Sequence, residues 1–112
     1  MKTFFSIVLF LISTLAYSGA GSGVGKIELL YVKPNSNWVR INFSRDIVNP
    51  NGCEKTGFYI VELDDSKASD RFYSALLAAY AAQKDIHFWI SGCSSAKPWG
   101  GNRPKIYDIY MR

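Results

Sequence analysis

Few side chains of this sequence could act as nucleophiles, bases or ligands, and they are scattered. The 112 residues include two cysteines, Cys53 and Cys93, and a single histidine, His87. Nucleophilic catalysis needs a nucleophile beside a base that a third group orients. Only Ser91 among the nearby serines is expected on the strand face of His87, and neither G-x-S-x-G nor H-E-x-x-H occurs. We therefore expect a non-enzymatic protein.

The carboxylates and the potential metal ligands also indicate a non-enzymatic protein. Asp64 and Asp65 could supply half of the carboxylate pair that cleaves glycosidic bonds, but adjacent acids before a helix more often form turns and caps. The sequence has no C-x-x-C, no second histidine and no EF-hand spacing. It therefore predicts no metal site and no cofactor.

The N-terminus has the pattern of a secretory signal peptide. A basic residue precedes an uninterrupted apolar or small run from Phe4 to Leu15, which is 12 residues long. Small residues suited to a peptidase follow, as Ala16-Tyr17-Ser18 or Ser18-Gly19-Ala20. A membrane-spanning helix needs about 20 apolar residues. We predict a signal peptide over residues 1–20, one secreted or periplasmic domain over residues 21–112, and no membrane span after cleavage.

This compartment favours a disulfide. Thiols pair in oxidising surroundings, and Cys53 and Cys93 are the only candidates. A bridge closing about 40 residues stabilises a small domain by roughly 4 kcal/mol in the chain-entropy model. Net charge is +4, and removal of Lys2 with the signal leaves +3 without a basic cluster, so we expect no nucleic-acid partner.

Apolar periodicity predicts five strands and one helix. Residues 37–43 alternate strictly, with Val39, Ile41 and Phe43 on one face and Trp38 on the other. Residues 19–25 are glycine-rich, and we interpret them as a flexible entry segment. The predicted strands cover residues 26–34, 37–43, 57–63, 85–91 and 105–111.

The helix is predicted between the third and fourth strands, within residues 64–85. Phe72, Ala75, Leu76, Ala79 and Tyr80 form one apolar stripe at helical spacing. Ser66 or Ser69 can cap its start. The resulting β-β-β-α-β-β order is that of the OB-fold, a five-stranded, partly open Greek-key barrel. The alternative is an open antiparallel α+β sheet with the helix on one face.

The segments "IELLYV" and "ALLAAYAAQKDIHFWI", with a cysteine before the middle strand, resemble small secreted proteins related to the B subunit of subtilase cytotoxin. That resemblance implies an OB-fold, a homopentameric ring and binding of sialylated cell-surface glycans. The family's sugar pocket lies near the first strand and uses a serine. The corresponding segment here is "GSGVG" with Ser22, and no binding residue is carried over.

Aromatic residues are abundant, and the tryptophans are the candidates for ligand contact. Trp38 lies opposite the apolar face of its strand, and Trp99 lies in the loop "KPWGGNRP". Tryptophan stacks on sugars and also anchors protein interfaces. Trp99 is expected either to cover an open barrel end or to form a contact surface. The candidate ligand-binding residues are Trp38, Trp99, Asn102 and Arg103.

Two functions fit these observations. The first is a secreted, non-enzymatic binding module, which by resemblance would be a glycan-binding, ring-forming subunit. The second is a monomeric secreted or periplasmic accessory or inhibitor domain that binds a protein partner.

Overall fold

The computed structural model describes residues 19–111, so residues 1–18 of the predicted signal peptide and the terminal Arg112 lie outside the described residues. Within residues 19–111 the protein is mainly β, with one α-helix and a short 3-10 helix at Pro98–Gly100. The strands and helix, in chain order, are β1 Ala20–Gly25, β2 Ile27–Val32, β3 Trp38–Phe43, β4 Tyr59–Glu62, α1 Lys67–Ala82, β5 Ile86–Cys93 and β6 Pro104–Met111.

One mixed sheet contains all six described strands, in the order β1-β5-β6-β4-β3-β2. Its neighbours are antiparallel except β4 and β6, which are parallel and meet at Ile60 and Lys105. The entirely antiparallel sheet of the alternative prediction is therefore wrong. The strands β1 and β2 lie at the two ends of this order, yet Lys26 alone separates them along the chain.

The sixth strand is β1, so the expected flexible entry was wrong over Ala20–Gly25. Its glycines give no alternation in the sequence, because they have no side chain to bury. The strand is held instead by its ladder to β5 and by Ser22. The buried Ser22 hydroxyl accepts a hydrogen bond from the Phe88 amide at 2.9 Å and donates one to the Gly23 carbonyl.

The core lies between the inner face of the sheet and α1. The alternation predicted for β3 is confirmed, since Val39, Ile41 and Phe43 are buried. Leu76 and Ala79 are the buried residues of the helical stripe. The remaining members of the core are Ile27, Tyr59, Val61, Ile86, Phe88, Ile90 and Ile106.

The helix begins at one of the two predicted N-cap residues. Ser66 is the N-cap, and its hydroxyl accepts the Ser69 amide hydrogen at 3.1 Å. Gln83 closes the C-terminus in the left-handed conformation. None of the helices among residues 19–111 is both long enough and apolar enough to cross a membrane.

Two adjacent leucines of α1 test this packing. Leu76 is fully buried, whereas Leu77 is 41% exposed. We expect Leu76→Ala to lower the free energy of unfolding by about 2–5 kcal/mol, because it removes apolar contacts and leaves a cavity. The matched Leu77→Ala variant should lose less than about 1 kcal/mol. Urea denaturation followed by circular dichroism measures both, and equal losses would contradict this placement of the helix.

Candidate ligand-binding groove

The predicted disulfide between Cys53 and Cys93 is present, with a Cα–Cα distance of 5.6 Å. It joins the segment before β4 to the last residue of β5. Two loops therefore start at this disulfide. Residues 53–58 lead into β4, and residues 94–103 lead into β6. We call them the β4 loop and the β6 loop.

Asn102 ties these two loops together. Its side-chain oxygen accepts the Glu54 amide hydrogen at 2.7 Å, and its own amide donates to the Glu54 carboxylate at 3.0 Å. Its carbonyl accepts the Lys55 amide hydrogen at 3.0 Å. The structure thus engages the side-chain oxygen and both backbone polar groups of this predicted ligand-binding residue in contacts between loops.

Arg103, also predicted to bind ligand, is only 6% exposed. Its guanidinium donates to the Thr56 carbonyl, and to the carbonyls of Pro98 at 3.2 Å and Trp99 at 3.1 Å. The same group stacks on Phe58, 4.1 Å from the ring centroid. Arg103 is therefore placed to position the β6 loop. Among residues 19–111, its buried Nε has no hydrogen-bond partner.

Trp99 adopts a left-handed backbone conformation, with φ of 53° and ψ of 41°. Such a conformation is uncommon for a residue with a side chain and persists where its surroundings enforce it. The bond from Arg103 to the Trp99 carbonyl is one such restraint. The indole packs edge-on against Phe58 at 5.5 Å and yet is 53% exposed. Trp99 thus both covers an aromatic cluster and faces solvent.

The structure brings Trp38 and Trp99 together, as part of one groove. Their ring centroids are 5.9 Å apart, and Tyr31 lies 5.6 Å from Trp99 and 6.4 Å from Trp38. With Lys33 and Pro98, these rings line an open volume of about 310 Å³. We call this the aromatic groove.

Positive charge lies directly beside the aromatic groove. The Arg40 guanidinium is 4.1 Å from the Phe58 centroid and 5.0 Å from that of Trp99. Its Nε donates to the Asn42 side chain at 2.8 Å. The guanidinium groups of Arg40 and Arg103 thus both contact the Phe58 ring. Neither forms a salt bridge with a carboxylate among residues 19–111. Burial, and then the charge of Arg40, lower the pKa of Arg103.

Glu62 anchors the start of the β6 loop to β4. One carboxylate oxygen accepts hydrogen bonds from the Ser95 hydroxyl at 2.6 Å, the Ser95 amide at 2.8 Å and the Ala96 amide at 3.4 Å. Lys105 lies 3.6 Å from the other oxygen. Burial raises the pKa of Glu62, but these hydrogen bonds and the Lys105 charge outweigh it, so the pKa is lowered.

The other residues considered for catalysis or metal binding lie apart from the groove or already form hydrogen bonds. His87 stands on β5, edge-on to Tyr110 at 6.0 Å. The Ser94 hydroxyl donates to the Ala96 carbonyl and accepts the Arg103 amide hydrogen. Asp64 accepts the Ser66 amide hydrogen at the start of α1. Among residues 19–111, no group of three potential metal ligands converges.

Sequence reasoning missed Tyr31, Arg40 and Phe58 as members of this site. Arg40 follows Trp38 by two positions and so shares its face of β3, which is a usable signal. Tyr31 and Phe58 come from distant segments, and only the pairing of β2, β3 and β4 brings them close. Comparisons with protein-family models, curated proteins and solved structures find no match to this chain.

The carboxylate of Glu62 makes a pH-dependent contribution to stability. Because its pKa is lower in the folded protein, this contribution is complete above the ordinary glutamate pKa of about 4.3 and is lost as pH falls through the folded value. We expect Glu62→Gln to melt below the wild type at pH 7, and the difference to shrink below about pH 4. Calorimetric melting temperatures across this range measure it; a difference independent of pH would contradict the assignment.

Proposed function

We propose that this chain is an exported, non-enzymatic module that binds a glycan in the aromatic groove. The observation that carries the proposal is the half-exposed Trp99, held rigidly beside Trp38 and Tyr31. Large, restrained aromatic rings offer contact area at low cost in side-chain entropy, and their faces suit the apolar faces of sugars. A ring left exposed despite a network that fixes its backbone is best explained by a ligand.

The strand order supports an OB-fold-like barrel. A flat sheet of six strands would separate its outermost strands by about 24 Å, since neighbouring strands lie about 4.8 Å apart. Lys26 alone connects β1 to β2, and one residue spans only about 3.5 Å. The sheet must therefore curl so that its ends approach. Taken as one bent strand, β1 and β2 would give the five strands of that fold.

The position of the groove agrees with this interpretation. OB-folds bind oligosaccharides and oligonucleotides on the face of their second and third strands, between the first and the last connecting loops. The corresponding elements here are β3, β4, the connection after β2 and the β6 loop. Trp38, Arg40, Lys33 and Trp99 come from these elements.

The charge of the groove favours an acidic sugar. The Arg40 guanidinium contacts the Phe58 and Trp99 rings, and its terminal nitrogens make no hydrogen bond within residues 19–111. An ordered guanidinium can bind a carboxylate with two parallel hydrogen bonds. Together with Lys33, the Arg40 guanidinium supports binding of the sialylated glycans that the family resemblance implies.

Export is supported by the disulfide and by the signal-like N-terminus, so we propose a secreted or periplasmic location. A second surface favours contact with protein. Trp89 and Tyr110 are exposed on β5 and β6, and they share one face of the sheet because Tyr110 pairs with His87, two positions before Trp89. Aromatic residues are enriched in protein interfaces. This surface suits either the homopentamer implied by the resemblance or, in a monomeric accessory or inhibitor domain, a protein partner.

A glycan array with sialylated structures and their desialylated counterparts tests the groove. We expect binding of the sialylated members and at least a tenfold loss in Trp99→Ala, because an anchoring ring contributes more than about 1.4 kcal/mol. Tyr80→Ala removes an exposed ring from α1 and should bind as the wild type does. Light scattering on each variant separates a lost contact from a lost assembly. Unchanged binding by Trp99→Ala would contradict the proposal.

The assembly is tested by light scattering after gel filtration of the oxidised protein. We expect the mass of five copies. Tyr110→Glu should lower that mass while leaving the melting transition cooperative, because it places a charge on the exposed surface of β6 and not in the core. A wild-type mass of one copy would instead favour the monomeric domain with a protein partner.

A further inference from the structure

Two peptide bonds near the predicted signal peptide could be cleaved. Signal peptidases require small residues at the first and third positions before the cut. Ala16-Tyr17-Ser18 satisfies this rule for a cut before Gly19, and Ser18-Gly19-Ala20 satisfies it for a cut before Gly21. The rule does not choose between them, and the predicted boundary at residue 20 follows the second.

The folded structure uses both residues that this boundary would remove. Ala20 is the first residue of β1, and it pairs with Ile90 of β5. Gly19 lies against the same strand. A Cβ atom added to Gly19 would come within 2.5 Å of the Trp89 indole nitrogen and 2.8 Å of the Ile90 carbonyl. The backbone at Gly19 is thus packed directly on the indole ring.

A cut before Gly21 would damage this part of the sheet. It would remove the partner of Ile90, a core residue with no exposed surface. A cut before Gly19 leaves every described contact of β1 in place.

We propose that a signal peptidase hydrolyses the Ser18–Gly19 bond, so that the mature chain begins at Gly19 and not at Gly21. Water supplies the hydroxyl that completes the Ser18 carboxyl group, and the Gly19 nitrogen leaves as a free amine. The inference depends on the proposed export. With this cleavage, the mature domain comprises residues 19–112 and contains all of β1.

The test is to express the complete chain of 112 residues in a bacterium and to purify the exported protein. Its intact mass and N-terminal sequence should show Gly19 as the first residue. A first residue of Gly21 would overturn the proposal while leaving export supported. Uncleaved protein with Met1 retained would overturn both the export and the cleavage.

A second measurement tests the structural reason. Two proteins beginning at Gly19 and at Gly21 can be released from the same heterologous leader by a sequence-specific protease. We expect the form that begins at Gly19 to melt several degrees higher, since about 1 kcal/mol corresponds to about 4–8 °C in a domain of this size. Equal melting temperatures would show that Gly19 and Ala20 contribute nothing to the fold and would overturn the argument.

Discussion

The covalent bond between Cys53 and Cys93 is the constraint on which the groove depends. It fixes the start of two loops, one leading into β4 and one leading into β6. The hydrogen bonds between Asn102 and Glu54, and between Arg103 and Thr56, then need to order only short segments. Since each ordered backbone residue costs about 1–2 kcal/mol in conformational entropy, shortening the free segments makes these polar contacts effective.

Arg103 links that constraint to the aromatic groove. Its guanidinium satisfies three carbonyls of the two loops and packs on Phe58, whose ring also contacts the Arg40 guanidinium. Removing charges from water is expensive unless they are paired. Here two neighbouring cations lie beside the groove, and they contact an aromatic ring, the Asn42 side chain and backbone carbonyls in place of carboxylates. No carboxylate among residues 19–111 neutralises this pair of charges.

Sequence reasoning succeeded where a single element determines the outcome. The alternation of Val39, Ile41 and Phe43 identified β3, and the only two cysteines identified the disulfide. It failed for β1, because a strand of glycines shows no alternation and is ordered by its neighbour β5. In the candidate site, Trp38 and Trp99 were each identified from the sequence, but not as neighbours. Their meeting with Tyr31 depends on sheet pairing and on a left-handed residue, which no local pattern encodes.

The glycines of β1 restrict which substitutions this strand can accept. A Cβ atom at Gly21 would lie 2.5 Å from the His87 imidazole, and one at Gly25 would lie 2.6 Å from the Ser44 hydroxyl. Even alanine, the smallest replacement, would have to displace a neighbouring side chain at either position. The stretch that carries the least information in its side chains therefore still restricts substitution, because a larger residue there has to move the His87 ring or the Ser44 hydroxyl.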